Sequence, residues 1–164
     1  MSDTTRPVAI KAEDAALRGL PAGFPADLAE CMANRVKRPL GDVFGLTIFG
    51  VNLTRLGPGA WSMPHHQHSR QDEFIYVLEG KPVLVTDDGE TQLSPGMCAG
   101  FPAGGTPHHL ENRSSVYVVI LEVGDRGVGE EVSFPDDNLR AVMRPDGGWS
   151  YMRKDGSPFS CVTG

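Results

Sequence analysis

The chain has 164 residues, long enough for one domain to bury a core without disulfide staples. Its composition, 40% hydrophobic and 22% charged, is globular and excludes a disordered or fibrous chain. A net charge of −6 with no block of lysine or arginine argues against nucleic acid or an anionic membrane as partner.

The first 25 residues mix alanine, proline, glycine and charge without sustained periodicity and read as an arm. Asp27 can cap a short helix over Leu28 to Asn34, which Pro25 and Pro39 confine. From Leu46 the texture changes: 46–54 is β-branched and partly alternating, and it ends at the turn Gly57-Pro58-Gly59. Strands are then predicted at Trp61–His68, Glu73–Leu78, Pro82–Thr86, Thr91–Leu93, Met97–Phe101, His108–Asn112 and Val116–Val123. Turn signals separate them, among them the Asp88-Gly89 pair and Ser94-Pro95-Gly96. Short strands at this spacing, in a chain with 20 glycines and 13 prolines, point to a sandwich or barrel. No stretch of helical period interrupts them, which argues against an α/β fold. After Gly124 the chain turns irregular again, with Trp149, Tyr151 and Phe159 as large apolar anchors. The expected division is an N-terminal arm with a short helix (1–44), a barrel (45–125) and an extension (126–164) that packs on the barrel or on a partner subunit.

Cys31, Cys98 and Cys161 are an odd number without CxxC spacing, which reads as thiols in a reducing compartment. The N-terminus lacks a basic segment followed by an apolar one, so no secretory leader is expected. No apolar run approaches the ~20 residues of a membrane helix. A cytoplasmic protein is the expectation.

All five histidines fall in two stretches, His65-His66-Gln67-His68 and His108-His109. In a strand, residues i and i+2 share a face, so His66 and His68 project together and His65 projects the other way. Glu73 opens the next strand after a short loop, where a hairpin can return its carboxylate beside the two imidazoles. His108, from a separate strand, can close the set. Imidazoles with one carboxylate suit Fe, Mn, Ni or Zn as a divalent ion and leave coordination positions open.

The spacing Gly59-(six)-His66-x-His68-(four)-Glu73-(six)-Gly80 resembles the first motif of the cupin family. Gly96-(five)-Pro102-x-Gly104-(three)-His108-(three)-Asn112 resembles the second, and 15 residues separate the two. The chain departs by one residue before His66 and one between Gly104 and His108, both in loops that tolerate insertion. The resemblance spans about residues 45–125. It implies an all-β double-stranded β-helix (a jelly roll) holding a metal on His66, His68, Glu73 and His108. Spacing to Asn112 favours His108 over His109, since alternation lets only one of them face inward. His65 reads as a rim residue or as support behind the ligands, and Cys98 as a small buried hydrophobe. Gly80, Gly96 and Gly104 read as turn residues, and Trp61 and Trp149 as core anchors or substrate-stacking walls. Tyr76 is expected in packing between sheets. Ile75 and Val77, on Glu73's face, are expected to wall an apolar pocket.

Two function classes stay open on these grounds. One is a metal-dependent enzyme on a small organic molecule, with dioxygenase, isomerase or lyase chemistry. The alternative is a non-catalytic cupin that binds or senses a carbohydrate or carboxylate. No acid or base beyond the ligands can be named from the sequence. Single cupins tend to pair through sheets and arms, so a homodimer is expected.

Overall fold

A computed structural model describes residues 6–159; Cys161 lies outside the described residues. Twelve strands dominate: β1 (Arg35–Pro39), β2 (Phe49–Leu56), β3 (Gln67–His68), β4 (Glu73–Glu79), β5 (Val83–Thr86) and β6 (Gly89–Gln92). The rest are β7 (Cys98–Phe101), β8 (His108–Glu111), β9 (Val118–Asp125), β10 (Glu131–Phe134), β11 (Leu139–Met143) and β12 (Trp149–Arg153). One layer is a five-stranded antiparallel sheet in the order β1-β2-β9-β4-β7. The other contains β6-β5-β8 and β12-β11-β10-β3. The segment leading into β3 stitches these two sheets together: Ser62 N donates to Leu110 O at 2.8 Å, and His66 and His108 exchange backbone hydrogen bonds of 3.2 and 2.8 Å. The architecture is the expected all-β jelly roll.

Alternation builds the core. On β9, Val118, Ile120 and Glu122 turn inward while Val119, Leu121 and Val123 turn out. Leu56, Ile75, Val77, Val118 and Ile120 from the first layer meet Leu110 from the second, each burial contributing about 1.5–3 kcal/mol. A second cluster, Val132, Phe134, Leu139 and Ala141, packs with Phe24, Leu28, Trp149, Tyr151 and Phe159. Both flanking segments therefore put strands into the sheets. β1, within 1–44, pairs with β2, and β10, beyond 125, pairs with β3 through Val132 and His68.

Two local expectations change. The helix covers Ala26–Ala29 and tightens to a 3-10 turn over Glu30–Met32; Pro25, with φ −58°, stands at its N-cap, and Asp27 lies in the first turn. Only Gln67–His68 of the expected strand Trp61–His68 is regular, because Pro64 has no N–H to give a ladder. Residues 63–65 consequently bulge opposite His109. Gly80 closes β4 at φ +77°, where a Cβ would stand 2.7 Å from Tyr117 O. No helix among the described residues is long and apolar enough to cross a membrane.

Candidate metal centre

The bulge and the bridge to β8 decide which histidines converge. Glu73, the first residue of β4, places Oε2 3.0 Å from His108 Nε2 and 3.6 Å from the Nε2 atoms of both His66 and His68. The donor atoms of His66, His68 and Glu73 lie within 4.8 Å of one another. Behind the donors, His66 Nδ1 faces Pro64 O at 3.0 Å and His108 Nδ1 faces Thr106 O at 3.3 Å. With Nδ1 turned to a carbonyl, each ring aims Nε2 at Glu73, the orientation metal-ligating histidines adopt. Phe101 lies flat on the His108 ring, 3.4 Å between centroids. Two imidazole nitrogens and one carboxylate, on His66, His68 and Glu73, converge beside a cavity and fit a divalent transition metal, while His108, expected as a fourth ligand, touches Glu73 but lies outside that convergent group.

Burial alone would raise the Glu73 carboxyl, but hydrogen bonds and positive charge from His108 and His66 outweigh it and hold it well below the usual carboxylate range. Burial, then the neighbouring His66, push His68 below the ordinary imidazole value. An ionised carboxylate beside a neutral imidazole is what a metal requires.

The residues flanking the donors go elsewhere. His65 and His109 meet Nδ1 to Nδ1 at 2.9 Å on the opposite side of their strands, each anchored through Nε2, on Asp87 and Glu111 at 2.9 Å. Trp61 stacks on His109, 4.3 Å between ring centroids. Cys98 is exposed, not a buried hydrophobe, because it pairs with Tyr76 on the outer face of the first sheet. Tyr76 likewise faces outward and not between the sheets. Asn112 is structural: its Nδ2 donates to Leu56 O and Val116 O at 2.9 and 2.7 Å.

A cavity of about 300 Å³ opens beside the donors. Ile75 and Val77 do not wall it; they lie deeper, in the core. Its apolar side is instead Phe24, Val132, Phe134, Ala141, Trp149 and Tyr151. Its polar side comes from the first sheet: Arg35, Lys37, Asn52 and Glu122. Glu122 is buried, and its Oε2 accepts from Thr54 Oγ1 at 2.8 Å and pairs with Lys37 Nζ at 2.7 Å. Glu130, wholly buried, accepts from Ser69 N at 2.7 Å, Ser69 Oγ at 3.2 Å and Arg70 N at 3.1 Å, and stands 3.7 Å from His68 Nδ1. Sequence reading named neither glutamate. Glu122 was signalled by its place in the inward series Val118, Ile120, Glu122; Glu130, in an irregular stretch, carried no such signal.

The "Cupin domain" family profile matches residues 52–124. No curated protein matches the chain significantly. Among solved structures, a sugar phosphate isomerase of the cupin superfamily from Silicibacter pomeroyi DSS-3 is 39% identical, covering 93% of this chain and 96% of that one with a TM-score of 0.86. A provisionally assigned sugar phosphate isomerase from Acidithiobacillus ferrooxidans ATCC 23270 is 32% identical over 73% of this chain and 76% of its own, TM-score 0.68. A polyketide cyclase from Streptomyces resistomycificus, 22% identical over 71% of this chain and 78% of its own at TM-score 0.59, shares the fold. The two histidine motifs, the jelly roll that brings them together and the first of these likenesses agree, and the chain belongs to the cupin superfamily.

Proposed function

We propose that the protein is a metal-dependent aldose–ketose isomerase acting on a phosphorylated sugar. The observation that carries this reading is the position of Glu122. It is a buried carboxylate that the donor set does not use, and it lines the same cavity as His66, His68 and Glu73. The substrate class rests on the likeness to the two structures described as sugar phosphate isomerases.

Isomerisation moves one proton from a hydroxyl-bearing carbon to the adjacent carbonyl carbon and one proton between the two oxygens. It needs no co-substrate and no net redox change. Lys37 and Thr54 both engage Oε2 of Glu122, so Oε1 is the atom that takes the carbon-bound proton and returns it to the neighbouring carbon. The Lys37 ammonium stands against the negative charge that the substrate oxygens develop. Phe24, Trp149 and Tyr151 cover the apolar face of a sugar and keep water from the proton in transit. A divalent metal on His66, His68 and Glu73 would supply Lewis-acid polarisation of the carbonyl.

The test is conversion of a panel of five- and six-carbon aldose phosphates by the metal-loaded protein, followed by proton NMR. Ketose formation is expected, with kcat falling about 10²–10⁴-fold in Glu122→Gln at unchanged metal content. No turnover of any panel member would put a non-catalytic small-ligand cupin in its place. Elemental analysis of the protein as purified decides among iron, manganese, nickel and zinc.

The homodimer is likewise a proposal. It is supported by the outer face of β4, where Phe74, Tyr76 and Leu78 are 41%, 37% and 42% exposed in a row, an apolar stripe of the sort that marks an interface. Sedimentation equilibrium should give a dimer that Tyr76→Glu dissociates. A monomeric wild type at micromolar concentration would refute it.

A further inference from the structure

We infer that Arg35 is the phosphate-recognition residue of this cavity and that it fixes the direction in which the substrate lies; the inference rests on the isomerase reading for the molecule that carries the phosphate. Four cationic side chains line the cavity: Arg18, Arg35, Lys37 and Arg126. Three are neutralised within the protein. Arg18 and Arg126 both pair with Asp42, and Lys37 pairs with Glu122. Arg35 has no carboxylate at salt-bridge distance among the described residues. Its one hydrogen bond is from Nη1 to the Ser62 carbonyl at 2.5 Å. The carboxylate whose charge acts on it, Glu122, is already engaged by Lys37 and Thr54.

A half-buried guanidinium without a counter-ion is a costly arrangement, and arginine does not shed its proton to relieve it. Burial lowers its pKa, which is the sign of a cation kept short of solvent. Four of its five N–H donors have no protein acceptor. Their planar fork matches two oxygens of one phosphate, the geometry that gives arginine its advantage over lysine at such groups. Asp72 and Asp125, which also line the cavity, are held by backbone N–H groups of Ala103, Asp72 and Gly127 and do not pair with Arg35.

Position across the sheet supplies the direction. Arg35 and Lys37 share the inward face of β1, the edge strand, and Glu73 begins β4, three strands away. Arg35 also stands six residues along the strands from the level of Glu73, opposite Leu56 and through it Val118, whereas Glu73 is opposite Gly124, so the two mark opposite ends of the cavity both across the sheet and along it. Between them lie Asn52 on β2 and Glu122 on β9, directly opposite each other in register. Asn52 Oδ1 is buried and has no hydrogen-bond partner, so it is an acceptor awaiting a hydroxyl. From edge to centre the cavity therefore reads phosphate fork, hydroxyl acceptor, proton-transferring carboxylate, metal donors. The carbonyl end of the substrate lies at Glu73 and its phosphate end at Arg35.

Calorimetric titration of the metal-loaded protein with inorganic phosphate tests the inference, with Arg35→Gln and Arg35→Lys alongside and metal content measured for all three. Wild type should bind phosphate, Arg35→Gln at least tenfold more weakly and Arg35→Lys in between, at equal metal content. Equal affinity in wild type and Arg35→Gln, or no binding to wild type at millimolar phosphate, overturns it. If Arg35→Gln does not fold, the Arg35→Lys comparison decides: undiminished phosphate affinity there overturns the bidentate fork. In turnover, kcat/KM for an aldose phosphate should exceed that for the free aldose in wild type, and the preference should collapse in Arg35→Gln. Isomerisation of both sugars with equal kcat/KM would remove the phosphate grip and leave the isomerase. Arg35-dependent phosphate binding without any turnover would remove the isomerase and leave the grip.

Discussion

Glu122 and Lys37 are a buried ion pair, so their substitutions separate stability from chemistry. Removing one partner leaves the other charged and desolvated, and Glu122→Gln should cost about 3–5 kcal/mol. The double variant Lys37→Met/Glu122→Gln should recover most of that in thermal denaturation while turnover stays lost. Recovery of turnover in the double variant would show that Glu122 only balances Lys37. For the donors, His66→Ala or His68→Ala should lower metal occupancy sharply, read by elemental analysis, and leave the β circular-dichroism signature intact. Full occupancy in both would remove the site. The convergence of these histidines was legible because the period of two is geometric: once His66 is inward, His68 is inward and His65 is not. The same logic was available for Glu122 from Val118 and Ile120. It gave a wrong environment for Tyr76 and Cys98, since alternation says which face a residue takes but not whether anything covers that face.

Among the elements, β10 does the work that local sequence least advertises. It pairs with β3 beside His68 and carries Phe134, fully buried against Phe24. Phe134→Ala should destabilise the fold by about 3–5 kcal/mol in chemical denaturation. Glu130, just before it, clamps the loop after His68 by taking the backbone N–H groups of Ser69 and Arg70. Glu130→Gln should weaken metal affinity about 10–100-fold by loosening the orientation of His68, while the donors themselves remain. Unchanged affinity in a metal-buffer titration would make the clamp purely a fold element. The strands at 73–79 and 118–125 were readable from β-branched alternation, whereas β1, Arg35–Pro39, was not: four of its residues are charged or proline, and its pairing with β2 is a tertiary fact that overrides propensity.

The whole molecule is two layers whose contacts are mostly distant in sequence. β2 pairs with β9, and β3 with β10. Metal should therefore stabilise the assembled state and not a fragment. Chelation should lower Tm, and the free energy recovered on adding metal at 100 times its Kd should be about 2.7 kcal/mol. No Tm change on chelation of a metal-bearing sample would place the ion outside the folded site. The family motifs announced the jelly roll, yet they lie within residues 59–112, and most of the cavity lining comes from outside that span.

That last fact sets a timetable for synthesis. The cavity is lined by Arg18 and Phe24, which precede the donors in sequence, and by Trp149 and Tyr151, which follow them. At a translation rate of about 5–20 residues per second, the donors at 66–73 are made seconds before the strand that completes the second layer. A nascent chain thus displays a cluster of histidines with no wall around it and no β10 behind His68. Ion selection made at that moment would be governed by raw affinity, which favours copper over the other divalent first-row ions. The finished pocket can discriminate by geometry only after β10 to β12 have docked, so selective metallation would follow synthesis of residues 131–153 and not precede it.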